Sequence, residues 1–309
     1  MRETRWKRVM LFGVVAASLF LLVACEEEDI GIAVTVDSAK VTATGSEMVE
    51  MVIEAPLSLF VETSNGDVNI VGKPGIQTAS VVATKWSRGA TLEEARDRLD
   101  RLVVRIEQEG SDLRLVYRAS EQESDVRRYS GVDFDVIVPT EARVSVDTSN
   151  GTIDVTAIHG TLTLDTSNGA IDVRRCEGTL SADTSNGRID VVSFAGDIRA
   201  DTSNGEVRIE NVVGLVDAET SNGSIRYEGA PADGMTNRLR TSNGSITVRV
   251  PFDASIAFDV RTSGGRIRSD LPLVGDTEGD DWSATLNPPA TSRLDLRTSN
   301  GSVRIEGAS

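Results

Sequence analysis

Short runs of alternating apolar and polar residues make up most of this chain. Three of them read TIDV at 152–155, AIDV at 170–173 and RIDV at 188–191. Successive side chains of a β-strand point to opposite faces, so a period of two marks a strand with one buried face. The runs therefore predict short strands whose Ile and Val residues point inward and whose Asp residues point outward.

The tetrapeptide TSNG precedes each of these runs and recurs at a regular spacing. Copies of TSNG begin at positions 63, 148, 166, 184, 202, 220, 241 and 298, and the variant TSGG begins at 262. The five copies from 148 to 220 are separated by steps of 18 residues. Stacked repeats can pair their backbones and merge their apolar positions into one core, which such short strands cannot bury alone. The repeat predicts an all-β fold, a single-chain β-solenoid (β-helix) with rungs of about 18 residues.

The fixed period decides between two architectures. Asn-Gly also marks the tight turn of a β-hairpin, so antiparallel sheets in a sandwich or a propeller are the alternative. An exact period with separate inward and outward columns, including the apolar column Ile158, Cys176, Phe194 and Val212, favours the solenoid. The step from 262 to 298 is twice the period, which predicts a lost copy replaced by an irregular loop over 270–292.

The Asn-Gly pairs of TSNG are expected to form corners of the rungs. Asn tolerates left-handed backbone angles, and Gly adopts them without a steric penalty. Stacked Asn side chains can also hydrogen-bond from one rung to the next, as amide ladders do in stacked strands. The predicted structural ladder consists of Asn150, Gly151, Asn168, Gly169, Asn186, Gly187, Asn204, Gly205, Asn222 and Gly223.

A long segment without TSNG separates the first two copies and predicts a small α/β insertion over 73–140. Thr91-Leu92-Glu93-Glu94 has the form of a capping box, which opens a helix. Apolar runs at 102–107, 113–118 and 132–138 predict strands. We expect the insertion to cover the N-terminal end of the solenoid, because an open end exposes a strand edge. The first solenoid strands are then expected over 46–72, and the repeats over 141–307.

The N-terminus carries the features of a bacterial lipoprotein signal. Four basic residues within positions 1–8 precede an almost wholly apolar run over 9–24, too short for a spanning helix. The run ends in LVAC at 22–25, which resembles a lipobox, where the cysteine is lipidated after cleavage. The sequence predicts a signal peptide over 1–24 and a segment over 25–45 that consists of the lipidated Cys25 and a tether. An ordinary signal peptide followed by a chance cysteine is the alternative.

Charge and composition exclude several classes of function. Asp and Glu number 48 against 32 Lys and Arg, for a formal net charge of −16. Nucleic acid is therefore not an expected partner, because phosphate binding needs surplus positive charge. One histidine and two cysteines provide neither a histidine-rich metal site nor a disulfide framework. We expect no cofactor, with Ca²⁺ as the one alternative.

Two outward columns change from acidic to basic along the chain. One lies directly before TSNG and the other three residues after its glycine. Carboxylates stacked about 4.8 Å apart repel one another, and Ca²⁺ would relieve that repulsion. The candidate Ca²⁺ ligands are Asp147, Asp165, Asp183, Asp201, Asp154, Asp172 and Asp190. The favoured interpretation is that these carboxylates are solvated charges that keep the rod soluble. A third interpretation is self-assembly, in which the acidic half of one copy attracts the basic half of another.

The lipobox, the proline-ended strands such as Val136–Pro139, the inserted helix and the TSNG repeats resemble a known family. It is the "putative adhesin" family of β-strand-repeat proteins, or domain of unknown function 4097, and the resemblance covers about residues 45–307. The resemblance implies a β-solenoid at the bacterial cell surface or in the periplasm. It implies no reaction and supplies no functional residues.

The sequence thus predicts a lipid-anchored protein of the cell envelope, on the extracytoplasmic side of a bacterial membrane, with a non-catalytic binding, adhesion or structural role. Its expected partners are the membrane, through the lipid, and an envelope glycan, another protein or a second copy. The alternatives are a self-assembling envelope scaffold and a β-helix enzyme acting on acidic polysaccharide. A catalytic site normally breaks the regularity of a repeat, whereas Asp and Arg form regular columns here. His159 falls in a turn and Cys176 in the apolar column, so neither is expected to be catalytic.

Overall fold

The computed structural model describes residues 21–23, 31–37, 40–53, 56–117 and 124–308. Cys25 and most of the predicted signal peptide lie outside these residues. The first half of the described chain contains β1 (Leu21–Val23), β2 (Gly31–Asp37), β3 (Lys40–Val52), β4 (Leu57–Asn65), β5 (Val68–Lys73), β6 (Thr78–Gly89), α1 (Leu92–Asp100), β7 (Val104–Glu109), β8 (Asp112–Tyr117), α2 (Ser124–Tyr129), β9 (Ser130–Pro139), β10 (Ala142–Asn150) and β11 (Ile153–Thr156).

The second half of the chain consists of strands. They are β12 (His159–Thr166), β13 (Ile171–Thr184), β14 (Ile189–Thr202), β15 (Val207–Val213), β16 (Val216–Thr220), β17 (Ile225–Gly229), β18 (Thr236–Thr241), β19 (Ile246–Pro251), β20 (Ile256–Thr262), β21 (Ile267–Ser269), β22 (Val274–Asp276), β23 (Asp281–Leu286), β24 (Ser292–Thr298) and β25 (Val303–Ala308). We call a strand that leads into a TSNG or TSGG corner an entry strand, and one that follows the corner an exit strand.

Successive rungs stack with their strands parallel and in register, which confirms the predicted β-solenoid. Ile171 of β13 pairs with Ile189 of β14, and Leu180 pairs with Ile198, one repeat apart in each case. The hairpin alternative would have required antiparallel pairing between repeats. Buried and exposed residues alternate along the strands, and the inward residues form one continuous apolar core. The apolar column lies within this core, since Ile158, Cys176, Phe194 and Val212 are all buried.

In the TSNG corners after the first, the left-handed backbone angles expected at Asn-Gly occur elsewhere in the rung, whereas Gly66 of the first corner has a φ of +155°. Positive φ angles fall at Ala157, Arg175, Ser193 and Asn211, and again at the glycines that close the next corner, Gly160, Gly178, Gly196 and Gly214. The glycine of TSNG is required for a different reason. A Cβ on Gly169 would lie 1.8 Å from the carbonyl oxygen of Gly151 in the neighbouring rung, so a side chain there has no space.

The spatial order of the rungs departs from the chain order at both ends. Entry strand β4 lies between β10 and β8, although β8 comes between them in the chain. Likewise β24 lies between β18 and β20, although β20 precedes it in the chain. The segment 270–292, which was expected to hold an irregular loop, contains β22 and β23, and β23 pairs antiparallel with β20. At the other end β7 and β6 pair antiparallel with β8 and β9. Antiparallel partners thus occupy the edges that a parallel stack would expose.

Helix α1 packs at the N-terminal end of the stack, against β6 and β3. Thr91 is its N-cap, with the hydroxyl accepting from the backbone N–H of Glu94 at 3.2 Å. The Glu94 carboxylate in turn accepts from the backbone N–H of Ala90 at 2.8 Å. Ala95 and Leu99 are buried on the inner side of the helix. Neither helix of the described chain is long and apolar enough to cross a membrane.

Candidate functional site

The threonine of each TSNG corner is buried and bonds to the neighbouring rung. Thr184 donates its hydroxyl hydrogen to the carbonyl oxygen of Gly169 at 3.1 Å, and Thr202 does the same to Gly187 at 3.0 Å. This carbonyl is the one that excludes a Cβ from the next glycine. Threonine and glycine therefore act together. The glycine has no Cβ, so the carbonyl of the neighbouring rung can approach closely, and the threonine hydroxyl donates a hydrogen bond to that buried carbonyl.

The asparagines of the corners form a continuous side-chain ladder. The Nδ2 atom of each Asn donates to the Oδ1 atom of the Asn in the preceding rung at 2.8–2.9 Å. The ladder contains the five predicted asparagines and three more, in the spatial order Asn65, Asn150, Asn168, Asn186, Asn204, Asn222, Asn243 and Asn300. Beyond Asn300 the outermost rung carries Gly264, which ends the ladder.

The column before TSNG forms an acidic strip over six rungs. In spatial order it comprises Glu62, Asp147, Asp165, Asp183, Asp201 and Glu219. Within the strip, Ser181 donates to Asp183 at 3.2 Å, and Arg199 lies 2.6 Å from Asp201. Burial, together with the carboxylates of Asp147 and Asp183, raises the pKa of Asp165. The strip is therefore a row of like charges at the rung spacing of about 4.8 Å.

The acidic column of the exit strands is arranged differently. Asp154, Asp172 and Asp190 are in register, but arginines lie over them. Arg174 Nη2 and Arg188 Nη2 each lie 3.0 Å from a carboxylate oxygen of Asp172. Asp172 is only 3% exposed although it belongs to an outward column, so the interpretation of this column as solvated charge does not hold at Asp172. The arginines cover its carboxylate, a contact that column patterns alone do not reveal.

Arginines replace the acidic residues in the last three rungs. The column before TSNG continues as Arg240, Arg297 and Arg261, in that spatial order. Asp295 accepts from Arg297 Nε at 2.7 Å and from Arg240 Nη2 at 3.3 Å. The sequence shows the change of sign but not the Asp295–Arg240 pair, because Asp295 reaches Arg240 only when β24 inserts between β18 and β20.

The remaining candidate residues lie apart from these columns. Among the described residues, no group of three or more His, Cys, Asp or Glu side chains is arranged to hold a metal ion. His159 lies on the surface with Nδ1 3.3 Å from Glu141 Oε1. Cys176 is buried in the core, and burial raises the pKa of its thiol.

The sequence profile of one protein family matches residues 136–306, more than half of the chain, and is described as Toastrack DUF4097. The chain belongs to this family. The match spans the stacked corners and both charged columns from Asp147 onward. The matched residues include the strip from Asp147 to Glu219, the ladder from Asn150 onward and the arginine-bearing rungs, whereas Glu62 and Asn65 lie before the match. No curated protein matches the chain.

Several solved structures are similar to this Toastrack chain in outline. A "putative adhesin" from Bacteroides fragilis is 11% identical with a TM-score of 0.42, and the match covers 84% of this chain and 96% of that one. A "putative adhesin" from Parabacteroides distasonis is 10% identical with a TM-score of 0.38, covering 85% and 97% of the two chains.

Proposed function

We propose that this Toastrack protein is a lipid-anchored, non-catalytic binding protein of the bacterial cell envelope, with an adhesion role. The observation that carries the proposal is the outer face of the entry strands. It presents charged side chains in register over consecutive rungs, from Glu62 at one end to Arg261 at the other. A long face with a constant repeat matches an extended ligand such as a glycan chain better than a compact substrate, which binds in a concave pocket.

The regularity of this face also favours binding over catalysis. An active site places a few different groups at one point, with pKa values shifted apart. On the acidic strip each rung contributes one Asp or Glu carboxylate at the same position. Burial raises the pKa of both Asp165 and Asp201. Two carboxyl groups whose pKa values are shifted in the same direction are not thereby assigned to the separate roles of general acid and general base. A β-helix enzyme acting on acidic polysaccharide is therefore the second interpretation.

The anchor is proposed at Cys25, six residues before β2 begins at Gly31. Strand β2 pairs with β3, and β3 pairs with β6, so this part of the chain belongs to the N-terminal end of the stack. An anchor there would hold the rod at that end and leave the arginine-bearing rungs farthest from the membrane. Radioactive fatty acid should label the wild type and Cys176→Ser but not Cys25→Ser. Equal label in Cys25→Ser would refute the anchor.

Binding is tested with the chain from Glu26 onward, mixed with purified envelope glycan. We expect retention of the protein on the glycan without release of shorter oligosaccharides. Release of new reducing ends would instead support the enzyme interpretation. A concentration-dependent rise in mass without glycan, measured by analytical ultracentrifugation, would support the self-assembling scaffold. No retention and no self-association would refute the binding role.

A further inference from the structure

A cleft lies across the last three rungs of the entry face. Its floor is formed by entry strands β18, β24 and β20, and Asp281 of the antiparallel strand β23 contributes to its wall. The cleft exists because β23 runs back along β20 instead of continuing the parallel stack. No stretch of sequence around TSGG indicates this cleft, since its strands come from three separate segments of the chain.

Arginines outnumber carboxylates in this cleft. Arg238, Arg261, Arg293 and Arg297 line it together with Asp259, Asp281 and Asp295. Arg240 stands next to them in register with Arg297 and adds a further positive charge. The lining side chains therefore carry one more positive than negative formal charge, within a chain whose net charge is −16.

Three of the lining arginines are held in place by the carboxylates. Arg297 Nε donates to Asp295 at 2.7 Å, Arg261 Nε donates to Asp281 at 3.1 Å, and Arg293 pairs with Asp259. A guanidinium carries five N–H donors, so these contacts orient each group and leave donors for a further acceptor. Arg238 is exposed and forms no ion pair or hydrogen bond among the described residues, although Asp217 and Asp295 flank it in register on the neighbouring strands.

We propose that this cleft binds a linear polyanion, a polymer bearing carboxylate or phosphate groups. Arg240, Arg297 and Arg261 stand one above another at the rung spacing of about 4.8 Å, so successive anionic groups of one chain can meet successive rungs. Beyond Arg240 the column turns acidic at Glu219, which repels the polymer and limits contact to the last three rungs. This inference rests on the proposed binding role and names the chemical class of the ligand.

The test uses the chain from Glu26 onward and measures affinity for polygalacturonate, polyphosphate and neutral dextran by biolayer interferometry. Arg238→Gln should weaken polyanion binding about tenfold, the effect of losing one charged hydrogen bond, while Arg238→Lys should weaken it less. Arg143→Gln is the matched control, because Arg143 is an exposed arginine on entry strand β10. It should bind like the wild type, and dextran should bind to none of the variants.

The outcomes separate the inference from its rivals. A preference for polygalacturonate or for polyphosphate identifies which anionic group the cleft accepts. Equal affinity of Arg238→Gln and Arg143→Gln for both polyanions overturns the inference. Binding to envelope glycan that survives in Arg238→Gln overturns it while leaving the proposed function intact. Self-association lost in Arg238→Gln and in Asp183→Asn would show that the anion is the acidic strip of a second copy, which also overturns it.

Discussion

Gly187 faces the carbonyl oxygen of Gly169 so closely that a Cβ atom on Gly187 would lie 1.7 Å from it. The contact is between two backbones, so no side-chain rearrangement can make room. We expect Gly187→Ala to separate two rungs locally and to lower the free energy of unfolding by more than about 2 kcal/mol. Chemical denaturation monitored by circular dichroism measures this change.

A glycine with a different constraint provides the control for this prediction. Gly234 has a φ of +77°, and no atom lies within 4 Å of the position that a Cβ would take, so only backbone strain opposes a side chain there. Gly234→Ala should cost about 1–2 kcal/mol, less than Gly187→Ala. The opposite ranking would contradict the claim that contact between rungs, and not φ, requires glycine at position 187.

The two acidic columns should respond oppositely to neutralisation. Asp172 is buried beneath Arg174 and Arg188, so Asp172→Asn removes the negative charge that both arginines share and replaces one acceptor oxygen by an NH2 donor. It should destabilise the fold by about 1–2 kcal/mol. Asp165 lies in a row of like charges, so Asp165→Asn should be neutral or stabilising. Urea denaturation of both variants at neutral pH tests the difference. Destabilisation by Asp165→Asn but not by Asp172→Asn would reverse our assignment of the columns.

The acidic strip predicts a pH dependence of stability. Burial and the carboxylates of Asp147 and Asp183 raise the pKa of Asp165 in the folded chain above its value in the unfolded chain. The folded state therefore binds this proton more tightly, and the ionised residue lowers stability until the pH falls through the folded pKa. Asp165→Asn should raise the Tm near neutral pH, and the gain should disappear in acid. Asp197→Asn is the control, because Asp197 is exposed and lies outside the strip, and it should leave the Tm nearly unchanged.

Calcium distinguishes a specific cation site from solvated charge. If the carboxylates only solubilise the rod, millimolar Ca²⁺ and Mg²⁺ should raise the Tm slightly and equally by screening. A site would respond to Ca²⁺ at lower concentration and would prefer it to Mg²⁺, which demands strict octahedral geometry. We expect equal shifts in thermal melts. A saturable Ca²⁺-selective shift that is lost in Asp165→Asn/Asp183→Asn would show that the strip is a calcium site.

The sequence by itself determined the repeat unit and its consequences. The fixed period of TSNG predicted parallel stacking, and alternation predicted that Ile171 is buried. The pattern also brought Asn168 and Asn186 to equivalent positions, where the structure places them 2.9 Å apart, Nδ2 to Oδ1. These features follow from sequence because residues one period apart become neighbours as soon as the chain coils.

The tertiary structure alone decided the features that depend on distant segments. The insertion of β24 between β18 and β20 brings Asp295 to Arg240, although 55 residues separate them in the chain. The antiparallel return of β23 brings Asp281 to Arg261 and closes the wall of the cleft. No period relates these residues. Their meeting depends on which strand covers the exposed edge of the last rung, and that is settled by backbone pairing and packing at the end of the stack.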